Sequence, residues 1–231
     1  MNRSNCRLNK LSFVHIPKTA GLSLHAELEK HFGKEKSIRF GSKELRDLFL
    51  SMEPEQLKKY NYITGHICIE ELSQKGIHYP TISVLREPVR RFISMQHYLT
   101  NSNFKEHQGA IYNNIEQLLQ DKLSKRAINQ QCWHLCGKTS FARAVESIRR
   151  NNIFVAPLEY YQDFIETLSD LLGTYLSNLH INVTQYKTSF DTDDPKYDQL
   201  DPVIGDDKKL FLYVKQNYES LKQDFIKSLA R

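Results

Sequence analysis

The sequence predicts a single α/β domain in which a central parallel sheet lies between two layers of helices. Three observations lead there. Short runs rich in β-branched and aromatic residues (Phe13-Val14-His15-Ile16, Tyr60 to His66, Tyr79 to Arg86 and Ile153 to Leu158) alternate with longer amphipathic stretches. Strands that alternate with helices require right-handed crossovers, and hence parallel neighbours. The chain of 231 residues, 40% hydrophobic and 26% charged, is long enough to bury a core and shows no internal repeat or low-complexity tract.

The elements follow in order. Residues 1–10 form a polar lead. Leu11 to His31 reads as strand, tight polar turn and helix, with Leu22, Leu24 and Leu28 expected on one side of that helix. Ile38-Arg39-Phe40 is a short strand. Lys43 to Met52 and Pro54 to Tyr60 are helices, the second opened by its proline. Two strands, ending at Gly65-His66 and at Arg86, precede a helix that starts at Pro88. Thr100 to Lys138 is polar, with scattered helix signals such as Ile115 to Leu123. Thr139 to Arg150 is helical. After the strand at 153–158, a stripe of Phe164, Leu168, Leu171 and Leu172 stops at Gly173. An Asp-, Thr- and Pro-rich loop is expected from Thr188 to Asp207. A long final helix carries Leu210, Val214, Leu221, Phe225 and Leu229 inward.

Composition sets bounds on function. The net charge of +5 suits an anionic substrate or nucleotide, but is too modest to imply nucleic acid. No apolar run approaches the roughly 18 residues of a membrane span, and the polar start offers no secretory signal. The four cysteines, at 6, 68, 132 and 136, make no disulfide framework in a chain of this size. A cytoplasmic protein with no integral membrane segment is the expectation.

The chemistry concentrates in Pro17-Lys18-Thr19-Ala20-Gly21-Leu22-Ser23. A turn between strand and helix leaves the amides of residues 20 to 23 unpaired, with the positive end of the helix dipole behind them. That makes an anion seat, to which Lys18 adds a charge and Thr19 and Ser23 add hydroxyls. The plain alternative is a βα turn with a solvated lysine. A Walker A loop places glycines before its lysine, whereas here the single Gly21 follows Lys18. The chemistry is P-loop-like and the layout is different.

The order P-K-T-A-G-x-S after a strand resembles the 5′-phosphosulfate loop of sulfotransferases, in particular the carbohydrate-type branch that includes the heparan sulfate 2-O-sulfotransferases and their bacterial relatives. The resemblance implies a P-loop-like three-layer fold and 3′-phosphoadenosine 5′-phosphosulfate (PAPS) as sulfuryl donor, with no metal. Residues 18 to 23 (Lys18, Thr19, Ala20, Gly21, Leu22 and Ser23) would hold the 5′ end. Many relatives have Gly-Thr-Ser where this chain has Gly21-Leu22-Ser23, so one side-chain donor is missing.

A second motif is Leu85-Arg86-Glu87-Pro88-Val89, with Ser94 eight residues after Arg86. An arginine at a strand end grips phosphate through two parallel hydrogen bonds; the alternative is that it pairs with Glu87. R-E-P-V-x-R-F-x-S-x-x-x-Y resembles the 3′-phosphate signature of sulfotransferases, which implies that Arg86 and Ser94 hold that phosphate. Arg91 also matches, with a structural role left open. No aspartate follows either flanking strand as a magnesium ligand would, which argues against a kinase.

His66, after Gly65 at a strand end, is the candidate base for an acceptor hydroxyl. It matches a G-H in the resembled branch, although the preceding histidine of many relatives is Thr64 here. The alternative is a hydrogen-bonded strand-end histidine, with Glu70 and Glu71 as fallback bases. His15 is read as packing beside the loop. Cys132, His134 and Cys136 lie within five residues but lack a fourth ligand at zinc spacing. Asn129 to Gly137 instead resembles N-x-Q-x-x-x-L-x-G of bacterial relatives, with Gln131 and Trp133 as candidate sugar contacts. Residues 100–138 and 188–207 are the candidate acceptor side. The acceptor implied is a hydroxyl of a carbohydrate or glycolipid. A P-loop phosphotransferase and a non-catalytic nucleotide- or anionic-glycan-binding domain remain the alternatives.

Overall fold

The computed structural model describes residues 8–101, 128–177 and 195–230. The helix signal at Ile115 to Leu123 lies outside them, as does most of the candidate acceptor side. Five parallel strands form one sheet: β1 (Leu11–Val14), β2 (Ser37–Phe40), β3 (Tyr62–Gly65), β4 (Thr81–Leu85) and β5 (Ile153–Pro157), in the order β2-β3-β1-β4-β5. This is the α/β architecture with helices flanking a parallel sheet that the alternation predicts.

Helices α1 (Gly21–Phe32), α2 (Lys43–Ser51), α3 (Pro54–Leu57), α4 (Ile69–Gln74) and α5 (Pro88–Asn101) connect the first four strands and follow the last of them. Beyond them lie α6 (Gln130–Cys136), α7 (Phe141–Arg150), α8 (Tyr161–Leu172) and α9 (Asp201–Leu229). One face of the sheet packs Val14, Ile63, Leu85 and Val155 against Phe49, Leu72, Leu135 and Ile148. The other packs Leu11, Phe13, Ile82 and Phe154 against Leu24, Leu28, Phe164 and Leu168. Strands buried on both faces read as continuous apolar runs, which is why they were visible in the sequence.

The 29-residue α9 packs along edge strand β5 and contributes to both cores, with Leu210, Val214 and Leu221 on one side and Tyr218 and Phe225 on the other. It covers an edge that would otherwise be open to pairing. Its start corrects the expected loop at 188–207. A 3₁₀ turn spans Pro195–Leu200 and the helix begins at Asp201, with Pro202 in its first turn. Proline suits that position because its missing N–H has no helical partner there anyway. Val89, Phe92, Leu200, Val203 and Ile204 then seat α5 against this first turn of α9.

Two further corrections concern helix faces. Leu24 and Leu28 are buried but Leu22 is 56% exposed, since residues two apart lie on nearly opposite sides of a helix. The Pro54 helix is one turn only, ending at Leu57 instead of Tyr60.

The topology itself marks a ligand crevice. β1 connects leftward, through α1, to β2, and β4 continues rightward toward β5. Adjacent β1 and β4 are therefore the switch point, and the space beyond their C-terminal ends is where open parallel sheets bind ligands. Buried hydroxyls fix the middle strand on both sides: Thr64 Oγ1 donates to the Phe13 carbonyl (2.8 Å) and Ser83 Oγ to the Val14 carbonyl (2.9 Å).

Candidate functional site

The turn after β1 is tight and strained. Lys18 (φ 72°) and Ala20 (φ 63°) both occupy the left-handed region without being glycine, at a cost on the order of 1 kcal/mol each. The buried Thr19 holds the turn, its Oγ1 donating to the Ile16 carbonyl at 2.8 Å. Here its proton goes to the turn, and the Thr19 side chain shapes the loop. Gly21 is required by contact. A Cβ there would lie 2.3 Å from His15 Cδ2 and 2.5 Å from His15 Nε2.

Ala20 caps α1 without a side-chain hydrogen bond, and no acidic residue occupies the first turn. The start of α1, at the amides of Gly21 and Leu22, therefore keeps the anion-seeking character of a helix N-terminus. Lys18 is half-buried at this end, its Nζ 4.6 Å from the centroid of the Tyr98 ring. Burial, and then the neighbouring Arg86, lower its pKa from the usual lysine range.

Arg86 leaves the end of β4, across the switch point. Its Nη1 donates to the Lys18 carbonyl at 3.2 Å, so the two motifs meet. Glu87 makes no ion pair with it within 4.0 Å: both Glu87 carboxylate oxygens accept first-turn amides of α5, from Val89 at 2.9 Å and Arg90 at 2.7 Å, although the charges of Glu87 and Glu159 still favour the protonated guanidinium. Among the described residues, Arg86 makes no ion pair within 4.0 Å. Ser94 is half-buried on α5, one turn before Tyr98 and therefore on the helix face that meets Lys18.

His66 follows β3, its N–H donating to the Phe40 carbonyl at 2.8 Å. The strands approach so closely here that a Cβ on Gly65 would lie 2.4 Å from the same oxygen. The imidazole sits 5.1 Å, centroid to centroid, from that of buried His15. Burial, and then the charge of Arg39, push the His66 pKa down to about 4. It is neutral at pH 7, the form that accepts a proton.

Of the fallback bases, Glu71 is otherwise engaged. Glu71 pairs with Arg46 and accepts the Cys68 N–H at 2.9 Å, a reciprocal cap of α4. The Glu70 carboxylate packs at the end of α6, where a Cβ on Gly137 would lie 2.2 Å from it. Gln131 is fully buried and both ends of its amide bond the Arg86 main chain, which corrects the reading of it as a sugar contact. Trp133 stacks edge-on with His134 and lies under the Arg46 guanidinium.

Arg91 is structural: it is wholly buried, donates to Gln130 Oε1 at 2.8 Å and lies 3.8 Å from Asp207. Cys132, His134 and Cys136 belong to no group that could hold a metal, among the described residues. The Cys136 thiol turns to the carbonyls of Cys132 (3.2 Å) and Lys138 (3.1 Å). His134 Nδ1 lies 3.2 Å from the Ile67 carbonyl, and burial takes its pKa down to about 3. No helix among the described residues is long and apolar enough to cross a membrane.

Fold and site together define a parallel α/β protein in which two cationic motifs and a helix start meet at the switch point of the sheet. No family model matches the chain, and no curated protein matches it. A mouse sulfotransferase solved in complex with PAP is similar to it at 17% identity, with a TM-score of 0.41, over 73% of this chain and 60% of that one. The chain spans about 60% of the length of that structure.

Proposed function

We propose that this protein is a PAPS-dependent sulfotransferase acting on a hydroxyl of a carbohydrate or glycolipid. The observation that carries the reading is the contact of the Arg86 guanidinium with the Lys18 main chain, which brings cationic residues from two adjacent strand ends together beside a helix start without a side-chain cap. A nucleotide with phosphate on both sides of its ribose asks for two such centres a few ångströms apart. The motif resemblance of residues 17–23 and 86–98 supports the same assignment.

On this reading the amides of Gly21, Leu22 and Ser23 hold the 5′-phosphosulfate. Lys18 leaves the Tyr98 face to neutralise charge gathering on the oxygen that departs from sulfur. Arg86 and Ser94 take the 3′-phosphate. His66 accepts the proton of the acceptor hydroxyl as its oxygen attacks sulfur in line. The sulfur–oxygen bond to the nucleotide breaks, leaving a sulfate ester and adenosine 3′,5′-bisphosphate. The sulfuryl group carries less charge than a phosphoryl group, so the cations of the site suffice without a metal. The protein would work in the cytoplasm.

The test is thermal stabilisation by adenosine 3′,5′-bisphosphate against ADP with magnesium. Selective stabilisation by the bisphosphate, abolished in Arg86→Ala, supports the proposal. Equal stabilisation by ADP points instead to a phosphotransferase. Nucleotide binding without sulfate transfer from labelled PAPS to any of a panel of sugars and glycolipids points to a binding domain.

A further inference from the structure

Helix α6 reaches the end of β4 through the side chain of Gln131. The Gln131 amide grips the main chain of Arg86 from both sides: Oε1 accepts the Arg86 N–H at 3.0 Å and Nε2 donates to the Arg86 carbonyl at 3.1 Å. The β4–β5 ladder runs to the pair Leu85 and Pro157, so Arg86 is the first residue past the paired strand. Gln131 takes the place of a strand neighbour there. A carboxamide offers a donor and an acceptor in a single plane, with the geometry of a peptide group. Gripping N–H and C=O together fixes the peptide planes on either side of Arg86, and with them the direction in which its side chain leaves.

Gln131 is itself anchored. Its N–H donates to Asp207 Oδ2 at 3.1 Å, the Cys132 N–H to Asp207 Oδ1 at 2.9 Å, and the Asp207 N–H to Asn129 Oδ1 at 3.0 Å. Arg91 of α5 closes the knot through Gln130 and Asp207. Three helices thus share one buried charge cluster whose outlet to the crevice is the amide of Gln131.

We propose that Gln131 is a positioning residue for the nucleotide subsite: by clamping the Arg86 main chain it sets how strongly the site distinguishes a nucleotide that carries a 3′-phosphate from one that does not. This rests on the sulfotransferase reading above. Groups held by packing and outer hydrogen bonds keep binding geometry within a few tenths of an ångström, and an arginine freed to rotate forfeits its paired contacts.

The experiment is isothermal titration with adenosine 3′,5′-bisphosphate and with adenosine 5′-monophosphate, read as the ratio of the two affinities. The wild type is expected to prefer the bisphosphate at least tenfold. Gln131→Met, similar in volume but without the amide, is expected to lower the ratio about tenfold. Leu135→Ala is the control, since it opens the buried core from the same helix without touching Arg86; it should lower the melting temperature and leave the ratio unchanged. An unchanged ratio in Gln131→Met, or an equal fall in Leu135→Ala, overturns the proposal. If Gln131→Met does not fold, hydrogen exchange of the Arg86 amide in the wild-type protein decides. Strong protection supports the clamp, and exchange at the rate of a solvent-exposed loop overturns it. A wild type with no preference for the bisphosphate sinks the sulfotransferase reading alone, and the amide exchange still judges the clamp.

Discussion

The two walls of the crevice are built in opposite ways. The β1–α1 turn is local and strained: two non-glycine residues at positive φ, held by a hydrogen bond spanning three residues and by the fit of Gly21 against His15. The β4–α5 junction carries no residue at positive φ and is held from afar, by Gln131 and, behind it, Asp207. The difference follows from the donors each wall supplies. Consecutive backbone amides converge on one point only if consecutive residues fold into one turn, so that wall must be contiguous in sequence. An arginine needs only to be pointed, and any part of the chain can do the pointing.

If so, damage at the junction should spread through the fold, and damage at the turn should stay near the anion seat. The largest effect is expected from Asp207→Ala. Asp207 and Arg91 are both 0% exposed at the side chain, and removing one partner of such a pair leaves the other charge buried and uncompensated, a loss of about 3–5 kcal/mol. Urea unfolding measures it. Gly21→Ala comes next, at about 1–3 kcal/mol, because the new methyl overlaps the His15 ring and must displace it. The same variant should lose nucleotide binding beyond its loss of stability, measured by titration at a temperature where it remains folded.

Thr19→Val should remove only the turn hydrogen bond, for about 1 kcal/mol in unfolding free energy. If it costs as much as Asp207→Ala, the contrast between a local and a distributed wall is wrong. A change of pH dependence is expected as well, read along the pH axis and so outside the ranking of losses at neutral pH. His66 titrates at 6.5 when unfolded and at about 4 in the folded protein. Between those values the unfolded chain binds the proton and the folded one does not, so this residue's contribution is full above pH 6.5 and is lost as pH falls toward 4. His66→Gln should flatten that part of the acid limb when urea midpoints are compared from pH 7 to pH 4.

The same contrast explains what the sequence disclosed. The β1–α1 turn was legible because its determinants are neighbours: strand, lysine, glycine and helix within a dozen residues. Arg86 and His66 were legible as residues following strand ends, which places both at the crevice edge of the sheet. Gln131 was not. Its partner is 45 residues away, and an amide in a helix gives no sign of whether it faces solvent or a strand end. Asp207 was hidden within a stretch read as loop, although Pro202 was the available sign that a helix had already begun. The turn hydrogen bond of Thr19 was not legible either, because a hydroxyl in a polar turn looks alike whether it donates to a ligand or to its own backbone. The contacts of Glu71 were not legible because its partners are Arg46, 25 residues away, and the amide of its own helix cap.

The central claim is that one ligand spans both walls. The direct measurement is an amide chemical-shift titration with adenosine 3′,5′-bisphosphate. The account predicts that Gly21, Leu22 and Ser23 shift together with Arg86, along one saturation curve and with a single dissociation constant. Shifts confined to one wall, or two walls saturating at different concentrations, would contradict it.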